Sequence, residues 1–282
     1  MGSVDHIRWT NRPALHDPVL IAAFAGWNDA GDAATGAVRY LADHHDAELF
    51  AHIEAEEFFD FTATRPHVSL DDDGTRSIAW PSTELHAATL PGGKDVVLVI
   101  GTEPHLRWQT FCAQIIEVAK AVGCKQLVTL GALVAEVPHS RPVRVVGTAT
   151  DPVQQSELDL QPSSYEGPTG IVGVLTSACS EAGVPVVSLW AAVPTYVPTA
   201  PSPKAALALV ERTAQVLGIW LPTTDLEIAS ASYERQVSDL VAEDEETADY
   251  VRNLETNHDD DDALPGRSLV EEVERYLRGG GD

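Results

Sequence analysis

The sequence predicts an α/β protein: a mixed, mainly parallel sheet covered by helices on both faces, followed by an acidic helical extension. Three observations predict it. Apolar runs of strand length at residues 19–24 and 95–100 read as strands buried on both faces, because they show no polar alternation. Segments with apolar residues at three- and four-residue steps separate such runs, the alternation that builds a parallel sheet between two helix layers. The chain then changes character: residues 225–282 hold 18 acidic and 5 basic side chains, about half of the net charge of −25 carried by all 282 residues.

The elements follow in order. The first strand ends at Gly26, and a helix is expected over 30–41 with Asn28 or Asp29 as its N-cap. Residues 48–55 read as a second strand. Val68 and Ile78-Ala79-Trp80 flank Asp71-Asp72-Asp73-Gly74, which predicts a hairpin with an Asp-Gly turn that makes the sheet mixed. The strand at 95–100 runs through Gly101-Thr102-Glu103-Pro104 into a helix whose apolar face is Trp108, Phe111, Cys112, Ile115, Ile116, Ala119 and Val122. Gly123 ends that helix. Strands are expected at 126–130, 143–148 and 184–190, and helices at 171–182 and 204–217.

Residues 1–222 are therefore read as the core and 223–282 as the extension. In the extension Leu226, Tyr233, Val237, Leu240, Val241, Ala248, Val251 and Leu254 form a narrow stripe that must dock, on its own chain or on a partner subunit. The four aspartates at 259–262 are expected to stay unfolded and solvated, and residues 269–277 to form a short amphipathic helix.

Composition excludes several function classes. A charge of −25 repels nucleic acid and anionic lipid. No apolar run reaches the length of a bilayer span, and the N-terminus lacks the basic head and apolar middle of a signal peptide. Cys112, Cys124 and Cys179 are odd in number, far apart and without metal-ligand spacing, which reads as buried reduced thiols in the cytoplasm. No cofactor is implied.

No complete catalytic motif is present. Gly92-Gly93-Lys94 lacks the upstream glycine and the following Ser/Thr of a phosphate loop. Gly167-Pro168-Thr169-Gly170-Ile171-Val172-Gly173 has the wrong spacing for a dinucleotide site, and Pro168 removes an amide. His44 and His45 are adjacent, point about 100° apart on a helix, and make a poor chelate.

Three segments remain as candidates, each with two readings. Gly26, Trp27, Asn28 and Asp29 lie where ligands gather in parallel sheets, yet they equally make a strand-to-helix turn. Gly101 and Glu103 can present an acid or base, or initiate a helix with Pro104 at its first position and Thr102 or Glu103 as cap. Gly167, Thr169 and Gly170, in a rigid loop opening a helix, can line the same cleft or serve backbone approach alone.

Together these segments resemble the PAC2 family, named after proteasome assembly chaperone 2. The resemblance rests on Ala25–Gly31, on Gly101-Thr102-Glu103-Pro104 with Trp108 and Phe111, on Leu130-Gly131-Ala132, and on Tyr165–Ile171 with Gly173. It spans residues 15–220. The excess of arginine over lysine and the acidic tail are similar to actinobacterial members. The resemblance implies a phosphorylase/hydrolase-like α/β/α sandwich, a homo-oligomer, and, as for eukaryotic relatives, binding to proteasome α-subunits without chemistry. It transfers no catalytic residues.

Two functions are therefore expected to compete. One is a non-enzymatic assembly or interaction protein. The other is a small-molecule-binding protein or hydrolase/phosphorylase-like enzyme whose Asp29 and Glu103 carboxyls face one pocket within about 10 Å, the spacing of paired catalytic carboxylates.

Overall fold

A computed structural model describes residues 6–71, 74–163 and 165–263. One eight-stranded sheet organises it. Its strands are β1 (Ile7–Trp9), β2 (Val19–Ala25), β3 (Glu48–Ile53), β6 (Thr83–Leu90), β7 (Lys94–Thr102), β8 (Gln126–Ala135), β9 (Val145–Ala149) and β10 (Val186–Pro194). In space they run β1-β3-β6-β7-β2-β8-β10-β9. The centre, β7-β2-β8-β10, is wholly parallel, and antiparallel pairs lie on both sides of it. Five strands point one way and β1, β6 and β9 the other, so the sheet is mixed with one dominant direction.

Side chains alternate across each central strand and so feed two cores. Val19, Ile21 and Ala23 of β2 pack with Leu98, Leu130 and Leu189 beneath α1 (Ala33–His44) and α5 (Pro203–Leu217). Leu20, Ala22 and Phe24 pack on the other face with α2 (Trp108–Ala121) and α4 (Ile171–Glu181). Phe111 of α2 sits between Phe24 and Phe58, ring centroids 5.9 and 5.3 Å away. This is the expected three-layer sandwich. Each fully buried large side chain adds about 1.5–3 kcal/mol.

Four local expectations are corrected. The hairpin β4 (His67–Leu70) and β5 (Arg76–Ala79) forms its own two-stranded sheet, and the antiparallel character comes instead from β1, β6 and β9. Two residues of its turn, 72 and 73, lie outside the described residues. Strand β6, between Pro81 and Gly92, is an additional element, as is the short helix α3 (Pro152–Leu158), started by Asp151 accepting from Val153 N at 2.8 Å. Pro104 does not open α2, which begins at Trp108 after a loop. The aspartates at 259–262 are helical, at the end of α7 (Glu245–Ala263).

Negative charge at a helix C-terminus opposes the macrodipole, and here Arg141 offsets part of it. Its Nε and Nη2 donate to Asp259 Oδ1 and Oδ2 at 2.8 and 2.7 Å. The described part of the extension, helices over 224–242 and 245–263, docks on its own chain. Tyr233, Val237 and Val241 of α6 (Thr224–Ala242) and Val251 of α7 pack on Tyr196 and Val197, whereas Leu240 faces solvent. His139 ties the joint together, its Nδ1 2.8 Å from the Tyr196 hydroxyl and its Nε2 2.9 Å from Ser238 Oγ. Lys204 Nζ donates to Glu234 Oε2 at 2.6 Å. Burial, reinforced by the Lys204 charge, pushes the His139 pKa down. The helix expected at 269–277 lies outside the described residues.

Candidate functional site

The three candidate segments meet on one rim of the sheet, at the carboxyl ends of the parallel strands. Gly26 ends β2 at φ +125°, a conformation that L side chains rarely adopt, and the chain turns there beside Glu103. The backbone joins the segments directly. Glu103 N donates to Ala25 O at 2.8 Å and Ala132 N to Asn28 O at 2.8 Å, which hooks the turn onto both neighbouring strands.

Glu103 is the hub. Its Oε1 accepts from Asn28 Nδ2 at 2.9 Å and from Ile171 N, the first amide of α4, at 2.8 Å. It thus caps a helix that begins 68 positions later in the chain, a favourable place for a carboxylate against the helix dipole. Gly170 permits this contact. A Cβ there would stand 2.5 Å from both Asn28 amide atoms and 2.7 Å from Glu103 Oε1.

Asp29 points elsewhere. Its Oδ1 accepts from Ala34 N at 2.7 Å and Thr35 N at 3.2 Å, and its Oδ2 from the Thr35 hydroxyl at 2.5 Å. It serves as the expected cap of α1, acting across an intervening turn of 3₁₀ helix at Ala30–Asp32. Burial raises its pKa, and the three hydrogen bonds only partly oppose that. Asn28 is not a cap: its amide is committed to Glu103.

The remaining predicted residues divide. Trp27, Asn28, Gly167 and Thr169 line a cleft of about 370 Å³ between the rim and α4. Gly101 lies behind it, where a Cβ would stand 2.5 Å from Thr83 Oγ1. Sequence reasoning missed the opposite wall of that cleft, Val146 and Thr148 of β9 and Ser188 and Trp190 of β10. One signal was available: Gly131 interrupts an apolar strand, and it pairs in register with Trp190, whose ring would lie 2.5 Å from a Cβ there.

Among the described residues, no group of three or more His, Cys, Asp or Glu is placed to hold a metal ion, and no helix is long and apolar enough to cross a membrane. Cys112, Cys124 and Cys179 are unpaired thiols, pushed by burial up to about 12, 12 and 11.

The fold and rim define an α/β/α sandwich whose two carboxyls at the strand ends, Asp29 and Glu103, are structural caps. Comparison with known proteins agrees with that class. The PAC2 family model matches residues 23–241, and the chain belongs to the PAC2 family. A PAC2 family protein of Streptomyces avermitilis is 45% identical, with 83% of this chain and 100% of that one covered and a TM-score of 0.77. A proteasome-assembly chaperone homologue of Mycobacterium tuberculosis is 44% identical, with 83% and 99% covered and a TM-score of 0.76. A Mycobacterium tuberculosis protein of unknown function is 30% identical, with 98% and 97% covered and a TM-score of 0.86. Among curated proteins none matches.

Proposed function

We propose that this protein works without chemistry of its own, as an assembly or interaction factor that engages proteasome α-subunits and forms a homo-oligomer in the cytoplasm. The observation that carries the proposal is its 44% identity, across nearly the whole length of the relative, to a proteasome-assembly chaperone homologue. The rim supports it. Asp29 and Glu103, the two carboxyls that a hydrolytic or phosphorolytic reading needs in one pocket, are spent on the amides of α1 and α4.

The surface offers a place for contact. On the β4–β5 hairpin Val68 faces Ile78, and Leu70 and Trp80 extend the same face, all four at least half exposed. A two-stranded hairpin with an uncovered apolar face is marginal by itself in water, and a partner would cover it.

The test is reconstitution with purified α-subunits of the same organism. Addition of the protein is expected to yield a mixed complex on size-exclusion chromatography and to change the rate at which α-rings form. If the protein neither co-elutes with α-subunits nor alters that rate, the assembly role is wrong.

A further inference from the structure

The cleft beside the rim is made of parts that the capping network does not use. Trp27 stands at its mouth, 39% exposed. The Trp190 indole lies flat over Gly131, and its Nε1 donates to Ser188 Oγ at 3.0 Å, which locks the ring as a floor. Val146 and Val172 complete the apolar walls, while Thr148 and Ser177 add hydroxyls. The volume of about 370 Å³ lies in the range of small-molecule sites.

Charge sets the ligand class. Among the described residues, no Lys, Arg, His, Asp or Glu lines the cleft. An anion would ordinarily seek the N-terminus of α4, but the Glu103 carboxylate already occupies the Ile171 amide and repels a second negative group. A cation finds no carboxylate in the lining. Asn28 contributes no free polar group to a ligand: its Nδ2 is committed to Glu103, and its Oδ1 is buried away from the open space of the cleft.

We propose that this cleft binds a small, planar, uncharged molecule that stacks on the Trp190 indole beside Trp27. Such a site is a binding function beyond the assembly role, and each can stand without the other.

Benzamide, benzoate and benzamidine provide the test, because they share one shape and differ in charge. The full-length protein is labelled with 5-fluorotryptophan and titrated with each, with the Trp27 and Trp190 resonances followed by fluorine NMR. Benzamide is expected to shift both resonances saturably with a Kd of roughly 1 mM or tighter, as a fragment of that size allows. The two charged analogues are expected to bind at least about tenfold more weakly, the step that corresponds to one unpaired charge. Ser177→Phe, an exposed α4 position that plugs the cleft, and Trp27→Ala, at its mouth, are expected to weaken benzamide by at least about tenfold while keeping the wild-type melting temperature within about 3 °C. Absence of any benzamide shift at about 10 mM overturns the proposal, as does equal binding of either charged analogue or unchanged binding in both variants.

Discussion

Replacing Glu103 probes the rim most directly. Glu103→Ala removes the acceptor of two buried donors, the Asn28 amide and the Ile171 backbone N–H, now at 2.9 and 2.8 Å. Asn28 and Ile171 are both fully buried, so water cannot replace the lost oxygen without rearrangement. Each orphaned donor costs about 1–3 kcal/mol, which sums to about 2–6 kcal/mol. For a chain of this size that is a fall in melting temperature on the order of 10 °C. Glu103→Gln keeps a carbonyl oxygen in place and loses only charge assistance and the helix-dipole term, about 1–2 kcal/mol. The expected order of stability is therefore wild type, Glu103→Gln, Glu103→Ala, read by urea midpoint and by calorimetry. If Glu103→Ala melts within about 1 °C of wild type, the rim is not held by this carboxylate. If Gln is as damaging as Ala, charge rather than hydrogen bonding carries the effect, and the accounting above is wrong.

Further expectations concern other parts of the molecule. Asp29 has a raised folded-state pKa, so the folded protein binds its proton more tightly than the unfolded chain. That group's contribution to stability falls as pH rises from below 3.8 through its folded value. Asp29→Asn keeps the acceptor for Ala34 and removes this dependence, so its stability relative to wild type should increase between acidic and neutral pH in paired urea titrations. A constant difference across that interval would show that burial does not govern Asp29. Deleting residues 225–282 strips Tyr196, His139, Lys204 and Arg141 of their partners in α6 and α7, and the melting temperature should fall. An unchanged melting temperature and oligomeric state would mean that the docked extension is only a solubilising appendage. Cys112, Cys124 and Cys179, with thiol pKa values raised to about 12, 12 and 11, should resist iodoacetamide at pH 8 in native protein and all react in urea, as scored by mass spectrometry. Rapid native labelling at Cys112 would contradict its burial.

Much of the architecture was legible because it is written in local patterns. Runs such as 19–24 and 96–100 have no polar face and read as central strands, and the Trp108–Val122 periodicity reads as a helix with one apolar face. Gly26 and Gly170 signalled that backbone turns and approaches closely there, and both do. The alternation in β6 was present but diluted by His86 and Ala87, consecutive half-buried residues. The missing cleft wall is of another kind. Val146, Thr148 and Trp190 carry no motif, and they meet Trp27 only because β9 folds back beside β10 at the sheet's edge.

The amino-acid sequence by itself determined the sandwich, its inner parallel strands, the turns at their carboxyl ends and an acidic extension in need of docking. These follow from hydrophobic periodicity, glycine and charge, which act over a few residues. Only the tertiary structure decided that Glu103 caps α4 rather than its own helix, that Asp29 and Glu103 serve different helices, and that α6 and α7 dock on their own chain through His139 and Arg141. Those pairings join residues tens to more than a hundred positions apart. Their partners are chosen by how the sheet orders its strands, and no local pattern carries that information.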